Sequence, residues 1–108
     1  MSADFFPVAA AADLPNNSSK AITLNGVKLL LCHADGEFFC VQNECTHRAF
    51  SLESGRIRRC MVLCPEHGMP FDLRTGNPKG QLTDKPLRTY ETRVVDGQIE
   101  VAMSVEVS

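Results

Sequence analysis

Two short stretches of this 108-residue chain carry side chains suited to binding metal. They read Cys45-Thr46-His47 and Cys64-Pro65-Glu66-His67, with sixteen residues between His47 and Cys64. Each stretch offers one thiolate and one imidazole. Two sulfur and two nitrogen ligands form a set that zinc and iron both accept. The grouping separates the two metals. Zinc fingers usually place two Cys in one knuckle and two His in the other, whereas here each loop holds one of each. That mixed arrangement suits a two-iron cluster in which one iron takes both sulfurs and the other both imidazoles. Two ferric ions and two sulfides sum to plus two, so four thiolates give an oxidised centre of minus two. Two thiolates and two neutral imidazoles give zero, and adding an electron to a neutral centre is easier.

The pattern C-x-H, a gap of this length, then C-x-x-H resembles the signature of the Rieske [2Fe–2S] family. The likeness continues through Gly68, Phe71-Asp72 and Thr75-Gly76. Carried onto these positions, it implies that Cys45 and Cys64 bind an inner iron. His47 and His67 would then bind an outer iron through Nδ1, with Nε2–H facing a redox partner. Mixed-ligand centres span roughly −150 to +300 mV, against about −400 mV for all-cysteine plant-type clusters. High-potential members of the family carry an extra Cys in each loop, which pair, and a Ser and a Tyr after the second ligand His. The corresponding positions here are Phe50, Glu66, Met69 and Phe71. None can supply the disulfide or a hydroxyl bond to sulfur, so a potential near the bottom of the range is expected.

The positioning elements read as short strands broken by turns, which indicates an all-β fold. Phe5 to Val8 is a first strand, with Pro7 indicating an edge; Ala9 to Ala12 is at most one helical turn. Ala21 to Leu24 and Val27 to Cys32 flank Asn25-Gly26, a pair that favours a two-residue hairpin turn. His33 to Gly36 turns into Glu37 to Gln42, which leads straight to Cys45. The runs Leu29-Leu30-Leu31 and Phe38-Phe39 are continuous rather than alternating, which predicts strands covered on both faces. Ser54 to Arg59 is the reversal between the ligand loops, and Met61 to Leu63 delivers Cys64. Phe71 to Leu73 is a strand, Asn77 to Lys85 a loop, and Leu87 to Val94 one strand turning at Asp96-Gly97 into Gln98 to Met103. The family resemblance implies a small antiparallel sandwich or barrel, one domain over residues 1–108, with a cluster-binding subdomain at about 45–80 inserted in it.

Composition narrows the function. The net charge of −2 gives no case for nucleic acid, and no apolar run approaches the roughly 20 residues of a membrane span. No export signal is visible at the N-terminus, so a cytoplasmic location is expected. Of five Cys, Cys32 and Cys40 read as buried strand residues, while Cys60 reads as buried or as a partly exposed free thiol. Arg56, Arg58 and Arg59 read as a solvated turn and His33 as structural. Phe71 reads as packing. Phe50 and Met69 could equally pack or join Arg48, Ala49 and Pro70 in a docking rim. Gly68 is expected to let backbone amides approach the cluster, and the Pro78 region to cover one side of it.

No catalytic acid, base or nucleophile stands apart from the metal ligands, and the length leaves no room for a catalytic iron domain. The resemblance therefore implies a monomeric, free-standing ferredoxin, not an enzyme by itself. It would take electrons from an NAD(P)H-dependent flavoprotein ferredoxin reductase. It would pass them to a terminal Rieske oxygenase that hydroxylates aromatic rings, docking near His47 and His67. Two alternatives remain open on sequence: a Rieske-like small subunit of an assimilatory nitrite reductase, and a structural zinc module.

Overall fold

The computed structural model describes residues 3–44, 51–53, 55–65, 68–79 and 85–104. The strands among them are β1 (Ala3–Ala10), β2 (Ser18–Leu24), β3 (Val27–Ala34), β4 (Glu37–Gln42) and β5 (Ile57–Arg58). They continue as β6 (Met61–Leu63), β7 (Pro70–Asp72), β8 (Thr89–Tyr90), β9 (Thr92–Val95) and β10 (Gln98–Ser104), with a 3-10 turn at Ala11–Asp13. Three sheets result, in the orders β1-β10-β9, β2-β3-β4-β8 and β5-β6-β7. Every strand pairing is antiparallel. The fold is all-β.

Turn chemistry sets most of this register. Asn25-Gly26, Asp35-Gly36 and Asp96-Gly97 all have positive φ at both residues. Such turns match the right-handed twist of the strands they join. They fix the β2–β3, β3–β4 and β9–β10 hairpins, closing on Leu24↔Val27, Ala34↔Glu37 and Gln98↔Val95. Pro7 lies on β1 at a sheet edge, beside a register irregularity between Pro7 and Ala9. An edge strand with a local bulge tolerates the missing N–H.

The four-stranded sheet is the middle layer. Leu30, Cys32, Ala34 and Val41 point to one face and pack with Leu52, Cys60, Val62, Cys64, Met69, Phe71, Leu73 and Leu87. Leu29, Leu31 and Cys40 point to the other and meet Leu14, Ile99, Val101 and Met103. The unbroken apolar runs arise from this double coverage, since a strand with two buried faces has no solvent side to alternate with. In β10, by contrast, Ile99, Val101 and Met103 are buried and alternate with other residues, as a strand with one covered face requires.

Two expectations change. The segment read as one strand from Leu87 to Val94 is two, β8 pairing with β4 and β9 with β10. The chain crosses between sheets at Glu91, whose carbonyl accepts from Ala102 N–H at 2.8 Å. Propensity reads both pieces as extended but carries no record of which sheet each joins. The reversal after the first ligand loop is tighter than expected. Ile57 and Arg58 are already strand, and the turn is Arg59-Cys60, with φ of 51° and 60° between the paired Arg58 and Met61. Neither residue favours the left-handed region, where an L side chain costs about 1–2 kcal/mol. Arg59 is exposed, so Arg59→Asn is expected to stabilise the protein by about 1 kcal/mol, read as a higher urea midpoint at unchanged slope.

Candidate metal centre

The second ligand loop grows from the β5-β6-β7 sheet. The last β6–β7 pair is Leu63↔Pro70, and Cys64 continues the ladder by donating its N–H to the Met69 carbonyl at 2.9 Å. The Cys64 carbonyl then accepts from Gly68 N–H at 2.7 Å, closing a turn over residues 64–68. Gly68 has a φ of 67°, a conformation glycine adopts freely and other residues do not. The Gly68 N–H itself is committed to the Cys64 carbonyl, so any amide that approaches cluster sulfur here comes from a neighbouring residue. The contribution of Gly68 is the turn itself.

Cys64 is 1% exposed and sits in the core beneath this turn, whereas Pro65 and Gly68 are exposed. A thiolate ligand needs this placement: a floor shielded from oxygen and water, and a rim that reaches the surface. A β-carbon built on Gly68 would meet nothing within 4 Å, so the described rim leaves open space. The described residues therefore fit a cluster anchored through Cys64. Cys45, His47 and His67 lie outside the described residues, as do Arg48, Ala49, Phe50 and Glu66. Among the described residues no three His, Cys, Asp or Glu converge on one point, since only Cys64 of the four predicted ligands is included.

The ends of the first ligand loop are described, and one side chain joins them. Asn43, just after β4, is the buried polar residue of the described chain, at 8% exposure. Its Oδ1 accepts from Leu52 N–H at 2.8 Å and from Ser51 hydroxyl at 3.1 Å. Its own N–H donates to the Lys28 carbonyl on β3 at 3.0 Å. Gln42 adds an outer tie: Oε1 accepts from Arg88 N–H at 2.7 Å and Nε2 donates to the Glu44 carbonyl at 3.1 Å. Sequence reading passed over both residues. An Asn near a loop looks like ordinary turn chemistry, and the only signal available was its place two residues before a ligand.

The Phe71-Asp72 and Thr75-Gly76 positions carry turn geometry and packing. Phe71 is fully buried, as expected for packing, and bridges to Pro78; Pro78 thus lies along β7, while residues 80–84 lie outside the described residues. Asp72 accepts Arg74 N–H on Oδ1 at 2.8 Å, and Gly76 N–H donates to the Asp72 carbonyl at 2.7 Å. Gly76 has a φ of 80° and no room for a β-carbon, which would strike the Leu87 carbonyl. Met69, expected either to pack or to join a docking rim, is 3% exposed in the core. It packs under the loop, because the Leu63↔Pro70 pair ends the ladder with residue 69 facing inward.

The remaining thiols are structural. Burial pushes the Cys40 thiol up to about 12 and the Cys32 thiol higher still, so both stay protonated. Cys60 is also buried, which removes its reading as an exposed thiol; burial again raises its pKa. His33 donates its Nδ1–H to the Leu14 carbonyl at 2.7 Å and stacks on Phe38. Arg56, Arg58 and Arg59 are exposed, as read.

Arg74 straps the β5-β6-β7 side to the β3–β4 hairpin. Its guanidinium donates to Glu37 Oε2 at 2.8 Å, lies 3.8 Å from Asp35 and sits over the Phe39 ring. That hydrogen bond, and then the positive charge, hold the Glu37 carboxyl below its ordinary value. The contact therefore stabilises the fold above the unfolded-state carboxylate pKa and fades as pH falls through the depressed one. Exposure keeps the effect small. In Arg74→Ala the Glu37 titration, followed by carboxyl NMR shifts, is expected to move up to the ordinary glutamate range.

Comparison with known proteins agrees with this geometry. The Rieske [2Fe-2S] domain family matches residues 4–91. The chain is 34% identical over 100 residues to the 3-phenylpropionate/cinnamic acid dioxygenase ferredoxin subunit of Photorhabdus laumondii, covering 92% of this chain and 94% of that protein. It is 30% identical to the anthranilate 1,2-dioxygenase ferredoxin subunit of Burkholderia cepacia, covering 92% of each. Its fold superposes with a TM-score of 0.86 on a chain from the complex of reduced oxygenase and oxidized ferredoxin in carbazole 1,9a-dioxygenase. That match has 27% identity and covers 96% of this chain and 97% of that one. With a match across most of its length and a buried cysteine at the base of a closed turn, the chain belongs to the Rieske [2Fe-2S] domain family.

Proposed function

We propose that the protein is a one-electron carrier between a flavoprotein reductase and a terminal ring-hydroxylating oxygenase, and that it catalyses no reaction alone. The observation that carries the reading is the likeness along most of the chain to the ferredoxin subunits of dioxygenase systems, one of them 34% identical over 92% of the chain. Cys45 and Cys64 would hold the inner iron and His47 and His67 the outer one, within a subdomain of about residues 45–80 on the single domain. The cluster supplies a site that accepts and returns one electron with little rearrangement.

The chain's part is to bind, shield and orient. Cys64 anchors from the core, Pro65 and Gly68 on either side of the loop's tip reach the surface, and the imidazole edge would meet the partner. Among the described residues no helix is long and apolar enough to cross a membrane. The buried, protonated Cys32, Cys40 and Cys60 are compatible with the reducing cytoplasm, where we place a monomer.

Potential follows from the second-loop neighbours. Met69 and Phe71 are buried beneath the loop and carry no hydroxyl to stabilise a reduced cluster. The midpoint is expected near the low end of the mixed-ligand range, roughly −150 mV. A redox titration followed by EPR checks it, and a midpoint well above zero contradicts it. Reduction by NADH and a purified ferredoxin reductase, followed by reoxidation on adding a ring-hydroxylating oxygenase, tests the carrier role. A chain that no such reductase reduces is not this carrier.

A further inference from the structure

We propose that Asn43 is the positioning residue of the first ligand loop: its side-chain oxygen clasps the outgoing and returning limbs of residues 43–52 and so fixes how that loop presents its ligands. The inference rests on the reading above that Cys45 and His47 bind the cluster. The geometry is one acceptor shared by two donors from the return limb, Leu52 N–H and Ser51 hydroxyl. Leu52 N–H can only donate, so the facing atom must be the oxygen and the amide orientation is determined.

The clasp is itself anchored. Asn43 N–H donates to Lys28 on β3, the central strand whose residues 29–32 are fully buried. On the other limb, Ser51 Oγ also accepts from Glu53 N–H at 3.2 Å, and the Leu52 carbonyl accepts from Gly55 N–H at 2.9 Å. Leu52 itself is fully buried. A rigid strand and a locked return limb thus meet at one oxygen, and the loop between them has its two ends at a set separation. Gln42 makes its ties in exposed surroundings, where water replaces a lost bond at little cost. Asn43 accepts from Leu52 N–H in the core, where a deserted donor stays unsatisfied. The buried clasp therefore dominates.

The role needs only an accepting oxygen, which sets the test. Holo wild type is first assayed for iron and sulfide; a chain holding neither overturns the cluster reading itself and the clasp with it. In a holo Asn43→Ala variant the reduced cluster's EPR g-values should shift or broaden, and cluster loss, followed by bleaching of its visible absorbance, should run about tenfold faster. Asn43→Asp keeps the oxygen and should restore the lifetime. Val101→Ala, in the core between the β1-β10-β9 sheet and the central sheet, serves as the control of comparable destabilisation and should leave the EPR spectrum unchanged.

Wild-type spectrum and lifetime in Asn43→Ala overturn the proposal. So do equal losses in Asn43→Ala and Val101→Ala, or no rescue by Asn43→Asp. If Asn43→Ala yields no folded protein, Ser51→Ala decides, since it deletes one of the two donors at an exposed residue. A smaller change in the same direction supports the clasp, and a wild-type spectrum and lifetime overturn it.

Discussion

Cys64→Ala is expected to give a folded chain that holds no cluster, colourless, with iron and sulfide near zero. Cys64 is the proposed ligand that the described structure places, and it sits at the base of the second loop at 1% exposure. On the proposed ligand set, removing one of two thiolates would leave the inner iron short of a ligand. The other thiols cannot migrate in, because Cys32 and Cys40 are fixed on the central strands and held protonated by burial. Cys32→Ala, Cys40→Ala and Cys60→Ala should therefore keep full metal content. The change from sulfhydryl to methyl is small in packing terms, so β-sheet content by far-UV circular dichroism should persist. Metal binding contributes directly to the order of its own loops, so hydrogen exchange should rise in residues 64–68 and leave β3 protected. A brown Cys64→Ala protein with normal iron and sulfide would remove Cys64 from the ligand set.

Phe71→Ala should cost about 4 kcal/mol of unfolding free energy, the largest stability effect expected of any single side chain here. A domain of this kind has only about 5–15 kcal/mol in total. Phe71 is the largest of the fully buried side chains. Its ring joins the core that includes Leu30, Val41, Val62 and Leu73, and its backbone pairs with Val62 on one side and Pro78 on the other. Truncation leaves a cavity that these strands cannot close, since each is pinned by hydrogen bonds such as Lys79 N–H to the Pro70 carbonyl at 2.8 Å. Urea unfolding of the holo protein measures the loss. Phe71→Leu keeps most of the volume and should cost under about 1.5 kcal/mol. Equal, small losses in both variants would mean that the ring is not the keystone of this side of the core.

Both predictions use residues that the sequence had already singled out, and the reason lies in how each signal is encoded. Ligand chemistry is local: Cys and His at fixed spacing declare a metal loop whatever the rest of the chain does, and the family match over residues 4–91 agrees. Hairpin turns are local too, because only a few residue pairs accept positive φ twice, so Asn25-Gly26 and Asp96-Gly97 were readable. The Arg59-Cys60 turn was not, as neither residue carries that preference; the strands it joins impose the conformation on it.

Composition and spacing by themselves determined the all-β class, the candidate ligands Cys45, His47, Cys64 and His67, and the burial of Leu29 to Leu31. Tertiary structure alone decided what depends on partners distant in the chain. The split of residues 89–95 between two sheets is one case, the burial of Met69 and Cys60 another, and the meeting of Asn43 with Ser51 and Leu52 a third. A side chain's neighbours across a fold leave no periodicity in the sequence. They become visible only when sheet order and register bring the strands together.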